Sequence, residues 1–366
     1  MTPVELSRSV LHAVRCAVDD GELNVVVPSR VVVGRPGPGG RGDYATNVAL
    51  QLARPAGQPP LRVAALLRAY LAREAGVTDV EITGPGFLNI SLDRAATSAA
   101  LVRRILGEGL RYGHTDAVAG RVFVLCVPYE VRAEVLADVL ARMVGSQGGR
   151  VEVRHGGAVK LQPVPAPEEC AFLRPVPAPE ECALLRPVPA PEDPAFLGPD
   201  AARWALLHPA PHDRPRITAD HLVQRESNPL FRIRYAHART RAVSRNAADL
   251  GFATTGPETD VDAADTPHTP DTPGAQQLLV LLADHPRVLA TAAALPHADA
   301  QAAPSRLTRH LLALADATLA HLPAVLPRGD EKPSAAHRSR LALAEAAGTV
   351  LAGGLSLLGI DAPDHL

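Results

Sequence analysis

Three groups of residues in this sequence have types and spacing that could do chemistry. The densest lies near residues 228 to 250, where Arg232, Arg234, Arg239, Arg241 and Arg245 crowd around Tyr235 and His237. Guanidinium forks match phosphate oxygens, so the cluster fits an electrostatic contact with nucleic acid, and it equally fits an ordinary solvated helix face. A second group is Phe87 and Asn89, two apart in the run Phe87-Leu-Asn-Ile-Ser-Leu92. In a strand they share one face while Leu88 and Ile90 take the other, which would offer a ring and an amide together to an unpaired base. An exposed strand with one core aromatic also fits. The third is the loop Gly34-Arg-Pro-Gly-Pro-Gly-Gly-Arg-Gly42, which lacks a Gly-Lys-Ser/Thr ending and is broken by Pro36 and Pro38, and so reads as a connector and not as a phosphate cradle.

Other chemistries find no foothold. The 14 histidines form no constellation of nucleophile and base, so no catalytic residue is assigned. Cys16, Cys126, Cys170 and Cys182 show neither metal-ligand spacing nor a disulfide framework and read as reduced thiols, leaving no metal and no cofactor expected. A formal charge of −2 weighs against a broadly basic nucleic-acid binder, so local patches must carry any such contact. Only Lys160 and Lys332 are lysine among 37 basic residues, a skew of GC-rich bacterial genomes. No stretch approaches the ~20 apolar residues of a bilayer span, and the N-terminus lacks a signal peptide's basic start and apolar core. The expectation is a cytoplasmic bacterial protein with no membrane contact.

The elements that must position these groups follow from periodicity. Leu6, Val10, Val14 and Val18 mark a helix over 4–20, Asn24 to Val33 is strand-like, and Asp43 reads as a helix cap. A helix at 61–74, strands near 78–83 and 87–92 and a helix at 93–110 complete an α+β domain assigned to 1–118. Residues 119–159 read as strand, helix, strand. Residues 160–197 hold three near-identical copies beginning Leu161-Gln-Pro-Val-Pro-Ala-Pro-Glu-Glu-Cys-Ala-Phe172, whose alternating prolines predict a polyproline-like or disordered spacer. Residues 198–366 read as an all-α bundle, with helices at 200–208, 228–250, 277–295, 304–322 and 336–357, interrupted by a disordered loop over 254–274.

Several stretches resemble arginyl-tRNA synthetases. Gly42-Asp-Tyr-Ala-Thr-Asn-Val-Ala-Leu50 and Gly84-Pro-Gly-Phe-Leu-Asn-Ile-Ser-Leu92 look like parts of that family's N-terminal tRNA-binding domain. Gly198-Pro-Asp-Ala-Ala-Arg-Trp-Ala-Leu-Leu207, Asn228-Pro-Leu-Phe-Arg-Ile-Arg-Tyr-Ala-His-Ala-Arg239, Arg340-Leu-Ala-Leu343 and Val350 to Leu366 resemble its helical DALR-type anticodon-binding domain. The resemblance implies that Phe87 and Asn89 face a tRNA D-loop. It also implies that Arg232, Arg234, Tyr235, His237, Arg239 and Arg241 face the tRNA backbone or anticodon arm. Asp43, Tyr44 and Asn47 match as cap and packing residues. Residues 119–159 stand where the family's Rossmann-type catalytic domain begins, a remnant at most: Val122 to Val127 leads into Pro128-Tyr-Glu-Val-Arg132 and not into a His-X-Gly-His signature, and no Lys-Met-Ser-Lys loop follows. The family's late aromatics and C-terminal methionine are also missing. The expectation is a non-catalytic tRNA-binding paralogue, with an interaction module acting on a partner such as the catalytic synthetase as the alternative.

Overall fold

The computed structural model describes residues 3–366 apart from 29, 35, 38–40, 75, 93, 156–181, 255–271, 273, 296 and 297. The chain divides into two compact units, the first ending at Arg104 and the second beginning at Ile105. The unit boundary thus lies before residue 118. Tyr112 is buried among the second unit's helices and donates its hydroxyl to Leu282 O at 3.0 Å.

In the first unit α1 (Pro3–Asp19), α2 (Val48–Ala56) and α3 (Pro60–Leu71) cover one face of a four-stranded antiparallel sheet, ordered β1 (Val33–Gly34), β2 (Tyr44–Thr46), β4 (Phe87–Leu92), β3 (Val77–Thr83). Leu6, Val10 and Val14 of α1, Val63, Leu67 and Leu71 of α3, and Leu88 and Ile90 of β4 meet in one core, as the 3.6 and 2.0 periodicities require. The strand expected over 24–33 is confined to Val33–Gly34. Asp43 does not cap α2; its carboxylate accepts from Leu92 N at 2.9 Å and so ties the chain to β4. Gly42 precedes it at φ +97°, and a Cβ there would lie 3.0 Å from Ile90 O, so the approach to β4 demands glycine. The helix α4 (Arg94–Glu108) follows.

The second unit opens with a parallel sheet ordered β6 (Arg150–His155), β5 (Val122–Val127), β7 (Cys182–Leu184), with α5 (Val131–Gly145) linking β5 to β6. The end of the second proline-rich copy and the start of the third are therefore not a spacer. Cys182, Ala183 and Leu184 pair with Val124, Leu125 and Cys126, and Leu185 N donates to Cys126 O at 3.0 Å. The reason is local: Glu180 to Arg186 is free of proline, so its N–H groups can join a ladder that the flanking prolines could not. The first copy and most of the second lie outside the described residues, as does most of the loop expected over 254–274. Cys126 and Cys182 form a disulfide across β5 and β7, correcting the expectation of four reduced thiols; Cys16 is free. Their separation of 56 residues hides the pairing from any reading of spacing.

Behind this sheet Arg132 of α5 is fully buried. All five of its N–H groups meet backbone carbonyls: Nε that of Leu206 at 3.0 Å, Nη1 those of Val188 and Asp213 at 2.7 Å each, and Nη2 those of Pro209 and Ala210 at 3.1 and 2.8 Å. One guanidinium thus organises both the docked repeat and the loop after α6 (Gly198–Leu207). The bundle continues with α7 (Pro229–Asp249), α8 (Ala275–Ala290), α9 (Ala303–His321) and α10 (Ala335–Leu358), all close to their expected ranges. Contrary to the expectation of no span-length apolar stretch, α10 is long and apolar enough to cross a bilayer by length and composition, yet 67% of that window is buried as the bundle's central helix. Its small residues permit this: a Cβ on Gly353 would lie 2.8 Å from Leu110 O. Between α8 and α9, His285 and His310 are buried with ring centroids 5.3 Å apart. Burial pushes His310 down to about 4 and His285 well below its ordinary value.

Candidate nucleic-acid interface

The helix α7 begins where the sequence places it because Asn228 is a full N-cap. Its Oδ1 accepts from Leu230 N at 3.1 Å and Phe231 N at 3.4 Å, its amide donates to His221 O and Val223 O, and Pro229 fills the first turn. Leu230, Ile233, Ala236, Thr240, Val243 and Ala247 then face the core. The opposite side presents Tyr235, 39% exposed and stacked on Phe231 at 5.7 Å, with the Arg239 guanidinium 6.0 Å from the Tyr235 ring.

The remaining candidates on this helix are engaged within the protein. Arg232 pairs with Asp316 of α9, and Arg234 pairs with Asp200 of α6 while Nε donates to Asp361 O at 2.9 Å. Arg241 Nε lies 3.2 Å from Asp364, and Arg245 approaches His365. His237 is 5% exposed, one ring nitrogen 3.1 Å from Gly348 O and the other 3.4 Å from Asp364. Desolvation opposes ionisation of Asp364, yet Arg241 and His237 hold its carboxyl below the ordinary value. The basic face is thus largely matched by carboxylates from α6, α9 and the segment after α10. An incoming phosphate must compete with them, though such partly exposed pairs contribute only about 0–1 kcal/mol each.

In the first unit Phe87 and Asn89 share a strand face without sharing exposure. Phe87 is 41% exposed, because β2 pairs only with Leu88 to Ile90 and leaves that end of β4 uncovered. Asn89 sits opposite Ala45 on one side and Glu81 on the other, is 3% exposed, and donates Nδ2 to Thr83 Oγ1 at 2.9 Å. The ring is offered to a partner; the amide is held in the sheet. Tyr44 lies opposite Ile90, and Asn47 holds the start of α2 without a side-chain capping bond. Among the described residues no three His, Cys, Asp or Glu side chains are placed to hold a metal ion. Sequence reading missed a further group, Arg214 and Arg216 with His208, His212 and His221, all within fourteen residues of sequence, which the fold joins to Arg309 of α9.

Comparison with known proteins agrees with these two units. Residues 7–92 match the arginyl tRNA synthetase N terminal domain, and residues 233–366 match the DALR anticodon binding domain. The chain is a relative of the arginyl-tRNA synthetases. It is 41% identical over 168 residues to an arginine–tRNA ligase of Paenarthrobacter aurescens, a match covering 42% of this chain and 30% of that one. It is 42% identical over 164 residues to that of Renibacterium salmoninarum, covering 41% and 30%. The matched part of this synthetase relative thus spans under a third of those curated enzymes. Its fold resembles that of Thermus thermophilus arginyl-tRNA synthetase, with a TM-score of 0.60 at 16% identity, the alignment covering 100% of each chain. Sequence likeness is therefore partial where likeness of fold is extensive.

Proposed function

We propose that this protein binds tRNA, arginine tRNA in particular, and does not charge it. The observation that carries the reading is the presence in one chain of the synthetase N-terminal domain and the anticodon binding domain. The strand β5, which we read as a remnant of the Rossmann-type catalytic domain, runs into Pro128-Tyr-Glu-Val-Arg132 with neither histidine nor glycine. Without such groups nothing preorganised meets the charge that develops on ATP phosphates during activation. The exposed Phe87 ring and the Phe231–Tyr235 stack beside Arg239 supply the faces on which unpaired bases can lie. We place the protein in the cytoplasm of a bacterium, in keeping with its bacterial relatives.

Filter binding against arginine tRNA and an unrelated tRNA tests this reading. Arginine tRNA should bind more tightly, and Tyr235→Ala should weaken it by about 1–3 kcal/mol if a base stacks there. Arginine-dependent ATP–pyrophosphate exchange above a blank would overturn the non-catalytic part. A second reading, an interaction module acting on a partner such as the catalytic synthetase, draws support from the pairing of Arg232, Arg234 and Arg241 with carboxylates. Weak binding to every tRNA, indifferent to Tyr235, would favour it.

A further inference from the structure

Beside the end of α6, the loop that follows it and α9 encloses an open cleft of about 620 Å³, room for about twenty waters. Its ionisable lining is one-sided: Arg214, Arg216 and Arg309, with His212, His221 and a His208 whose burial holds its pKa below the ordinary value, stand against a single carboxylate, Asp213, 3.7 Å from His212. The chain as a whole carries a formal charge of −2, so this concentration of cationic groups is local. Unlike Arg232, Arg234 and Arg241 of α7, Arg214 and Arg216 have no ion pair among the described residues, and both are exposed. Arg309 is braced by its own helix, Nε donating to Ser305 O at 3.0 Å and Nη2 reaching Ser305 Oγ at 3.2 Å. Its Nη1 edge has no partner among the described residues. The His208 ring stacks on Trp204 with centroids 4.9 Å apart, and its buried Nδ1 also lacks a partner there.

The wall of the cleft is fixed from behind. Arg132 takes up the carbonyls of Leu206, Pro209, Ala210 and Asp213, the acceptors on this loop that would otherwise repel an anion. A concave surface lined by guanidinium and imidazole groups, with four neighbouring carbonyls already taken up by Arg132, has the chemistry of a phosphate site. We infer that this cleft, and not the carboxylate-paired arginines of α7, holds the phosphodiester backbone of a bound RNA. The inference rests on the tRNA-binding reading and names where its electrostatic contact lies.

The test uses the full chain and arginine tRNA titrated at several salt concentrations, comparing wild type with the double variants Arg214→Ala/Arg216→Ala and Arg214→Lys/Arg216→Lys. Both positions are exposed, so folding should be intact, which circular dichroism checks. The alanine pair should bind at least tenfold more weakly, with a log–log salt slope flatter by about 1.5 to 2, because each neutralised phosphate releases condensed counterions. The lysine pair, which keeps the charge, should stay within about threefold of wild type. If wild type binds tRNA and the alanine pair binds equally well with the same slope, the cleft assignment is overturned while the tRNA reading stands. If wild type binds no tRNA, both fall. Saturable binding of inorganic phosphate by a wild type that binds no RNA would assign the cleft to a small phosphate ester and equally overturn the proposal.

Discussion

Replacing Arg132 by methionine keeps much of the side chain's volume and removes five hydrogen bonds. Of the carbonyls released, those of Pro209, Ala210 and Asp213 belong to residues that are half-buried or exposed and can recover water, whereas Leu206 is fully buried and Val188, within the docked repeats, is half-buried. A buried acceptor left without a donor costs about 1–3 kcal/mol, and removing one partner of a buried charged network about 3–5 kcal/mol. The change also spares the desolvation of the guanidinium, which pulls its pKa below the ordinary value. We expect a net loss of about 4 kcal/mol for Arg132→Met, and about 2–3 kcal/mol for Arg132→Lys, which keeps the charge but cannot fill five directions at once. Trp204, the only tryptophan, is fully buried in the same unit, so its fluorescence follows this unit alone through a urea titration. The midpoint should fall with the slope unchanged. A shift below about 1 kcal/mol for methionine, or a lysine variant as stable as wild type, would refute the view that the fork's geometry holds this loop.

Three further outcomes follow from the packing. His310 and His285 are buried neutral, so the folded state binds fewer protons than the unfolded one below the ordinary value of 6.5; their contribution is complete above that pH and is lost as pH falls toward about 4, by about 3 kcal/mol for His310 alone, and His310→Gln should flatten the decline in Trp204-monitored stability between pH 7 and 4.5. Gly353→Ala should cost about 1–3 kcal/mol because the new methyl meets the backbone oxygen of Leu110, which cannot step aside as a side chain would; thermal melts of equal midpoint would refute that contact. Arg234→Ala should lower the unfolding free energy from a urea titration by about 1–2 kcal/mol through loss of the Asp200 pair and the Asp361 bond, while changing the salt slope of tRNA binding by less than the Arg214/Arg216 pair does; the reverse order would return the phosphate contact to α7.

What could be read from the sequence was what depends on near neighbours. Asn228-Pro229 announced the start of α7, and the bundle helices fell within a few residues of their periodic stretches. The alternation at Phe87 to Leu92 gave the strand and its faces, but not that β2 would flank Asn89 and stop short of Phe87. The arginines of α7 looked available because their partners, Asp200, Asp316, Asp361 and Asp364, come from other elements. The same blindness hid the Cys126–Cys182 bridge and the cleft around Arg214 and Arg309. Proline content misled differently: it spoke for the copies as a whole, while the short run between prolines decided the pairing of β7.

That docked run also bears on how the chain tolerates changes in copy number. The first two repeats end in nearly the same tripeptide, Cys170-Ala-Phe172 and Cys182-Ala-Leu184, where the third has Pro194-Ala-Phe196. Excision of residues 173–184 would bring Cys170-Ala-Phe172 directly before Leu185, restoring a cysteine opposite Val124 and altering only the last residue of the strand. The 14 residues that would remain between His155 and Cys170 still exceed what is needed to cross two strand spacings of about 4.8 Å. Slippage of a polymerase across this part of the gene would thus exchange one interchangeable tooth for another on the same rack, and lineages carrying different numbers of copies should share one fold.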